Sequence, residues 1–251
     1  DWDMGTRSRI EWTEMTWNPV TGCDRVSPGC DHCYALTMAR RLKAMGAPSY
    51  QSDGNPVTSG PGFQLTMHPE LLHQPTTWAG SRMVFVNSMS DLFHAHVTLD
   101  FIRDVFDVIR GTPQHTYQVL TKRSMRLRRL AEHLDWPDNL WIGVSVETMH
   151  YANRVDHLRD VPAAVRFLSC EPLLGPLDQL DLAAIDWVIA GGESGPSYRP
   201  VDVNWIRGLR DNCLQTDVPF FFKQWGGRTP KRQGRELDGR TWDEYPLARA
   251  I

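Results

Sequence analysis

Short, largely apolar runs punctuate this chain at regular intervals. They fall at residues 83–87 in "RMVFVNSMSDLF", 116–120 in "TYQVLTKR", 140–146 in "LWIGVSVE", 165–169 in "VRFLSCEP", 186–190 in "DWVIAGGESG" and 218–222 in "VPFFFKQWGG". They read as apolar runs rather than strict alternations, with Gln118 and Arg166 as polar interruptions, so each predicts a strand covered on both faces. Between the runs lie stretches with helical periodicity, such as "LDFIRDVFDVIRG" and "VNWIRGLRDNCLQ". The first ends at Gly111 with Pro113 just beyond, a helix-stop signal. Strand and helix in alternation predict a parallel sheet with right-handed crossovers, an α/β fold. "TWNPVTGC" reads as a first, short strand.

The positions just after each apolar run change register sharply. They carry Asn87-Ser88-Met89-Ser90-Asp91, Thr121-Lys122-Arg123, Ser145 with Glu147, Ser169-Cys170-Glu171, Gly191-Gly192-Glu193-Ser194 and Lys223-Gln224-Trp225. In a parallel barrel such positions lie at the C-terminal mouth, where barrels build their sites. Ser, Thr and Asp also favour helix N-caps, so any one cluster taken alone reads equally well as a cap.

Composition narrows the classes. The 251 residues are 41% hydrophobic and 23% charged, enough for one large domain or two small ones. The net charge of -3 makes no bulk case for nucleic acid or an anionic membrane, so any basic surface is local. No apolar stretch reaches the roughly 18 residues of a membrane span. "DWDMGTRSRIEW" lacks the order of a secretion signal, and Met4 reads as a native start. An odd number of cysteines, five, without a signal predicts a cytoplasmic protein with no disulfide framework.

Three of those five cysteines sit together in "TGCDRVSPGCDHCYA" at C-x6-C-x2-C spacing. A structural zinc site wants four ligands, and His32, between Cys30 and Cys33, is badly placed to be the fourth. Three thiolates suit a 4Fe-4S cluster, normally held by four cysteines, with one iron left open. Cys170 and Cys213 lie in apolar patterns and read as small core residues.

With these residues in view, the chain resembles the radical S-adenosylmethionine superfamily. "NPVTGCDRVSPGCDHCYA", "SMSDLFH", "SCEPLLGP", "GGESG" and "FFKQWG" are similar to a phage and bacterial family of unknown function of that type. The likeness runs from about Trp12 to Trp225. It implies a partial parallel (βα)6 barrel over residues 1–227, with a cysteine loop, an insertion or lid at residues 42–72 and a C-terminal extension at residues 228–251. It also implies a 4Fe-4S cluster on Cys23, Cys30 and Cys33, S-adenosylmethionine on the open iron, and a reductase or flavodoxin-type electron donor. The superfamily's usual loop is C-x3-C-x2-C. The extra residues here, in "DRVSPG", contain Pro28 and Gly29 and can fold as a turn.

Carried over by position, the resemblance implies contacts to S-adenosylmethionine from His32, from Ser88, Ser90 and Asp91 in place of the superfamily's Gly-Gly-Glu segment, from Ser145 and Glu147, and from Gly191, Gly192 and Glu193. "GGESG" by itself is a weak motif and reads equally as a glycine-rich turn. Glu171 and Lys223 are candidate catalytic groups at strand ends, and a salt bridge between Lys223 and a glutamate is the alternative. "TKRSMRLRRL" concentrates Lys122, Arg123, Arg126, Arg128 and Arg129, which suits phosphate binding with Lys122, Arg123 and Arg126 leading, or else a solvated face. "GGRTPKRQGRELDGR" adds a second basic segment. "ELDGRTWDEYP" predicts a hairpin turning at Asp238-Gly239.

The sequence thus points to an iron–sulfur enzyme that cleaves S-adenosylmethionine and acts on DNA, RNA or a nucleotide. Two other classes stay open: a nucleic-acid-binding module whose metal or cluster is structural, and a subunit completed by a partner protein.

Overall fold

The computed structural model describes residues 7–8, 10–229 and 231–246. Met4 and the last five residues of the tail lie outside these. Among the described residues, seven strands form one sheet, and the strand pairs that frame it are parallel. The chain divides into two compact units, Asp1–Ile142 with Val161–Ala164, and Gly143–Asp160 with Val165–Ile251.

The first unit begins with β1 (Met15–Trp17), β2 (Val20–Thr21) and α1 (Tyr34–Ala44). It continues through β3 (Thr66–Met67), β4 (Met83–Val86), α2 (Leu99–Gly111), β5 (Thr116–Thr121) and α3 (Ser124–Leu130). β6 (Leu140–Ser145) starts in this unit and ends in the next. The strand expected in "TWNPVTGC" is thereby corrected. The strand that pairs with β4 is Met15–Trp17, and it stops before Pro19. Proline has no N–H to give a ladder. Val20–Thr21 instead pairs antiparallel with β3, which belongs to the long connection between α1 and β4.

α2 shows how pattern becomes packing. Phe101, Ile102, Val105, Phe106, Val108 and Ile109 are buried on its inner side. Thr98 caps its start by accepting the Phe101 N–H, and Asp100 and Arg110 complement the helix dipole at either end. Each fully buried side chain of this kind contributes about 1.5–3 kcal/mol. Trp17 and Tyr117 meet edge-on at 5.8 Å beneath β1 and β5, and both are fully buried.

Residues 45–72, in the connection from α1 to β4, pack against α1. Tyr50 and Phe63 are buried with Ala35, Ala39, Ala47 and Met89. The Trp17 indole N–H donates to the Leu71 carbonyl at the end of this stretch.

The second unit holds the rest of β6, then α4 (Asn153–Arg159), β7 (Val165–Cys170), β8 (Trp187–Gly191), α5 (Val203–Gln215), β9 (Phe220–Gln224), β10 (Glu236–Leu237) and β11 (Arg240–Thr241). Phe167, Trp187, Phe220, Phe221 and Phe222 form its aromatic core. The expected hairpin is present: β10 and β11 pair antiparallel, and Asp238 and Gly239 both take positive φ, 53° and 79°. That is the type I′ geometry that the strand twist favours. Beyond it, Phe222 N–H donates to the Trp242 carbonyl, so the tail runs antiparallel along β9. The sheet order is β1-β4-β5-β6-β7-β8-β9.

Gly22 is the tightest point of the first unit. Its φ is +82°, and a Cβ there would stand 2.2 Å from the Gln64 carbonyl oxygen, which is backbone and cannot yield cheaply. We expect Gly22→Ala to lower stability by at least about 1–3 kcal/mol in urea unfolding, the cost of a strained αL residue before the clash is added. An unchanged midpoint would show that the β2–β3 pairing does not close on this glycine.

Candidate functional site

The first unit assembles a polar site around the cysteine loop. Pro19 ends β1, and side chains then dock the loop onto the segment that leaves β4. Asn87 Oδ1 accepts the Val20 N–H, Asn18 Oδ1 accepts the Met89 N–H, and Ser90 Oγ donates to the Val20 carbonyl. Gly22 N–H donates to the Met89 carbonyl. Cys23 follows at once. Pro28–Cys30 forms a single 3-10 turn, Cys33 N–H donates to the Cys30 carbonyl, and Cys33 caps α1. The three cysteines therefore share one loop, all partly exposed and none in a disulfide.

Cys23 is gripped by Arg123, whose Nη1 stands 3.4 Å from Sγ. The same Nη1 donates to Asp91 Oδ2 at 3.0 Å, and Nη2 donates to the Asp24 carbonyl at 3.0 Å. Asp91 in turn accepts from Phe93 N–H and Thr121 Oγ1 on Oδ1, and from Lys122 N–H on Oδ2. The pair is inward: the side chains of Arg123 and Asp91 are 13% and 7% exposed. Burial pushes the Cys23 thiol up to about 12, Asp91 adds to the shift, and Arg123 opposes it.

Asp24 supplies the other anchor. Its Oδ1 accepts from Thr58 Oγ1 at 2.5 Å and its Oδ2 from His94 Nε2 at 2.8 Å. His94 Nδ1 accepts the His96 N–H, which places the ring proton on Nε2. Burial holds His94 below its ordinary range despite the Asp24 bond, so it is a neutral donor. Burial would raise Asp24, but the bonds from Thr58 and His94 outweigh it and its carboxyl lies below the usual carboxylate value. Arg25 N–H donates to the Thr58 carbonyl, so the connection between α1 and β4 clasps the loop through backbone and side chain together.

These contacts redistribute the residues singled out in the sequence. Asp91, expected to hold a cofactor amino group, has its oxygens directed to β5's exit and to Arg123. Arg123 and Arg126, expected to meet phosphates, turn inward. Arg126 donates to the carbonyls of His94 and Val97. Lys122 is partly exposed, and Arg128 and Arg129 are exposed on α3. His32 is exposed beside Cys33, and Tyr34 reaches from its other side to the Ser88 carbonyl. Ser88 Oγ meets Asn18 Oδ1. Asp24, Thr58, His94 and Asn18 were not singled out in the sequence. Their signal is weak there, because each works only through partners distant in the chain.

The second unit gathers the remaining candidates at the ends of β6 to β9. Glu147 is fully buried and paired with Arg154 at 2.9 Å. Arg154 also donates to the Ser145 carbonyl and lies 4.2 Å over the Tyr151 ring. Glu193 is buried and bound by Arg199 through its backbone N–H, Nε and Nη2. Glu171 Oε1 meets Lys223 Nζ at 2.7 Å, with both side chains still partly exposed at 19% and 17%. The salt-bridge alternative for Lys223 is thus the geometry observed. A Cβ on Gly191 would stand 3.3 Å from the Glu171 carboxyl carbon, and one on Gly192 would stand 2.0 Å from the Trp225 carbonyl oxygen. Gly192 is therefore needed for the approach of its own neighbouring strand. Cys170 and Cys213 are fully buried, as small core residues.

A cluster of the implied kind can be tested against these residues. Among the described residues no three His, Cys, Asp or Glu side chains form a cage for a single metal ion. A cubane binds each thiolate at a different iron, so its ligands stand further apart than those of one ion. Three free, partly exposed thiols on one loop, with a guanidinium at one sulfur to balance thiolate charge, fit that donor set.

Breaking the buried Glu147–Arg154 pair tests the second unit. We expect Arg154→Met to cost about 3–5 kcal/mol, the penalty of leaving one buried charge without its partner. A loss below about 1 kcal/mol in denaturant unfolding would show that Glu147 finds another counter-charge.

No curated protein matches the chain in sequence. Solved structures of spore photoproduct lyase are similar to it in fold. A cysteine-to-serine variant aligns with a TM-score of 0.57 at 12% identity, covering 87% of this chain and 78% of that one. A tyrosine-to-phenylalanine variant gives 0.58 at 11% identity, covering 89% and 80%. The lyase complexed with dinucleoside spore photoproduct gives 0.52 at 12% identity, covering 85% and 65%. At such identities the likeness is one of fold, and it gives the architecture expected from the sequence, a partial parallel (βα) barrel. Residues 7–246 match the family model described as "Protein of unknown function (DUF5131)", and the chain belongs to that family.

Proposed function

We propose that this protein is a radical S-adenosylmethionine enzyme that modifies or repairs a nucleic acid. The observation that carries the reading is the three-cysteine loop, held rigidly ahead of α1 with a guanidinium on Cys23. The fold it shares with spore photoproduct lyase, a radical S-adenosylmethionine enzyme, supports it. Held on Cys23, Cys30 and Cys33, a 4Fe-4S cluster would supply an open iron and one electron for the reductive cleavage of S-adenosylmethionine.

The chain's own residues supply position and shielding. Asp24, clasped by Thr58 and His94, fixes the loop's entry, and Cys33 fixes its exit by opening α1. Ser88 and Ser90, on the segment docked beside the loop, are the side chains we assign to the methionyl end of S-adenosylmethionine. Tyr34, half exposed beside Cys33, presents a ring face on which adenine can stack, with His32 next to it. In the second unit, the partly exposed Glu171–Lys223 pair offers an acceptor and a donor to a substrate. Ser145, Glu147 and Glu193 face inward to the protein and orient strand ends.

For the substrate, the fold shared with a lyase solved in complex with a dinucleoside spore photoproduct supports a nucleic-acid lesion. The basic segment of α3 supports phosphate contact, and Arg128 and Arg129 carry it in place of Arg123 and Arg126. No helix among the described residues is long and apolar enough to cross a membrane. The electron comes from a reductase or flavodoxin-type donor.

Anaerobic reconstitution tests the chemistry. With dithionite and S-adenosylmethionine, we expect 5′-deoxyadenosine by mass spectrometry and a cluster electron paramagnetic resonance signal that moves when S-adenosylmethionine is added. Cys30→Ala should abolish the cluster and Cys213→Ala should keep it; a colourless wild-type protein, or a cluster that survives Cys30→Ala, removes the assignment. Changing Arg128 and Arg129 together to Ala should weaken DNA binding and flatten the slope of log K against log salt by about 1–2 units. An unchanged slope would send the phosphate contact elsewhere.

A further inference from the structure

Cys23 differs from the other two cysteines in what touches its sulfur. Arg123 Nη1 lies 3.4 Å from it, inside a set of contacts that leaves the guanidinium little freedom. Arg123 sits at the start of α3 yet caps nothing there, since its side chain turns back toward the loop. Its Nη1 also meets Asp91, and its Nη2 meets the backbone carbonyl of Asp24. Asp91 is itself fixed by Phe93 N–H, Thr121 Oγ1 and Lys122 N–H. A cation and an anion are thus buried together one bond from a candidate ligand sulfur. Burying such a pair costs desolvation, which folding stability alone does not require.

The chemistry of the sulfur gives the pair a use. The potential of an iron–sulfur cluster is set by its net charge and by hydrogen bonds to its sulfurs. An always-protonated guanidinium donating to a ligand sulfur draws charge from it and favours the reduced, more negative cluster. Asp91 limits that effect by neutralising part of the same cation. We propose that Arg123 is the positioning residue that sets the reduction potential at the Cys23 corner of the cluster, with Asp91 as its opposing counter-charge. This rests on the cluster assignment made above.

The two residues should act with opposite signs. In the reconstituted protein, Arg123→Gln should keep the cluster and lower its midpoint potential, with the ratio of reduced to oxidised cluster at fixed potential falling about tenfold, equivalent to about 59 mV for one electron. Arg123→Lys should recover part of the shift, because it restores the charge without the two-pronged contact. Asp91→Asn should move the potential upward. These are read by redox titration followed by electron paramagnetic resonance, with iron and sulfide per chain measured on each sample. Full cluster content with unmoved potentials in Arg123→Gln, or shifts of the same sign in Arg123→Gln and Asp91→Asn, overturns the proposal. If Arg123→Gln does not fold, the upward shift in Asp91→Asn supports the proposal and its absence overturns it. A wild-type chain that takes up no cluster defeats the underlying assignment, a result distinct from an intact cluster with unmoved potentials.

Discussion

The site of the first unit depends on the placement of one carboxylate. Asp91 lies just past β4, and its two oxygens take donors from its own segment, from the end of β5 and from Arg123. It converts a turn after one strand into a brace across two. Because the brace is buried, its bonds compete little with water, and the guanidinium it holds has one direction left, toward the loop. The segment carrying Asp91 also receives Gly22 and Val20. The position of Cys23 therefore follows from the position of Asp91 twice, once through backbone and once through charge.

Around this brace the molecule separates two uses of charge. Glu147 pairs with Arg154, and Glu193 with Arg199, at the strand ends of the second unit. Glu171 and Lys223 stay partly open to solvent. A buried pair resists reorganisation, whereas one still partly exposed exchanges its partner for a ligand at smaller cost. The same distinction divides the basic residues of "TKRSMRLRRL". Arg123 turns to the cysteine loop and Arg126 to backbone carbonyls, while Arg128 and Arg129 are exposed.

Much of the architecture was legible in the sequence, because strands covered on both faces read as largely apolar runs and six of them matched. α2 and α5 also emerged from periodicity, and the Asp238-Gly239 turn from the φ > 0 preference of its residues. The first strand was misread. Val20 and Thr21 look as strand-like as Met15–Trp17, and only pairing partners far along the chain distinguish β2 from β1. The cysteine spacing was plain for the same reason, since it is local. What the sequence hid was direction. Nothing in "TKR" tells whether Arg123 faces solvent or a sulfur, and that was decided by Asp91, 32 positions earlier.

The clasp on the loop also has a consequence for the order of events during synthesis. Asp24 finds Thr58 34 positions later and His94 70 positions later, and Cys23 finds Arg123 100 positions later. Closing such long loops costs entropy before any contact repays it. While the chain is emerging from the ribosome, its cysteines are out for a long interval before their neighbours exist, and the loop can take its final shape only after residue 123 has emerged. The thiols are thus most open to oxidants and to stray metal ions early in the chain's life, before the partners that clasp their loop have been made.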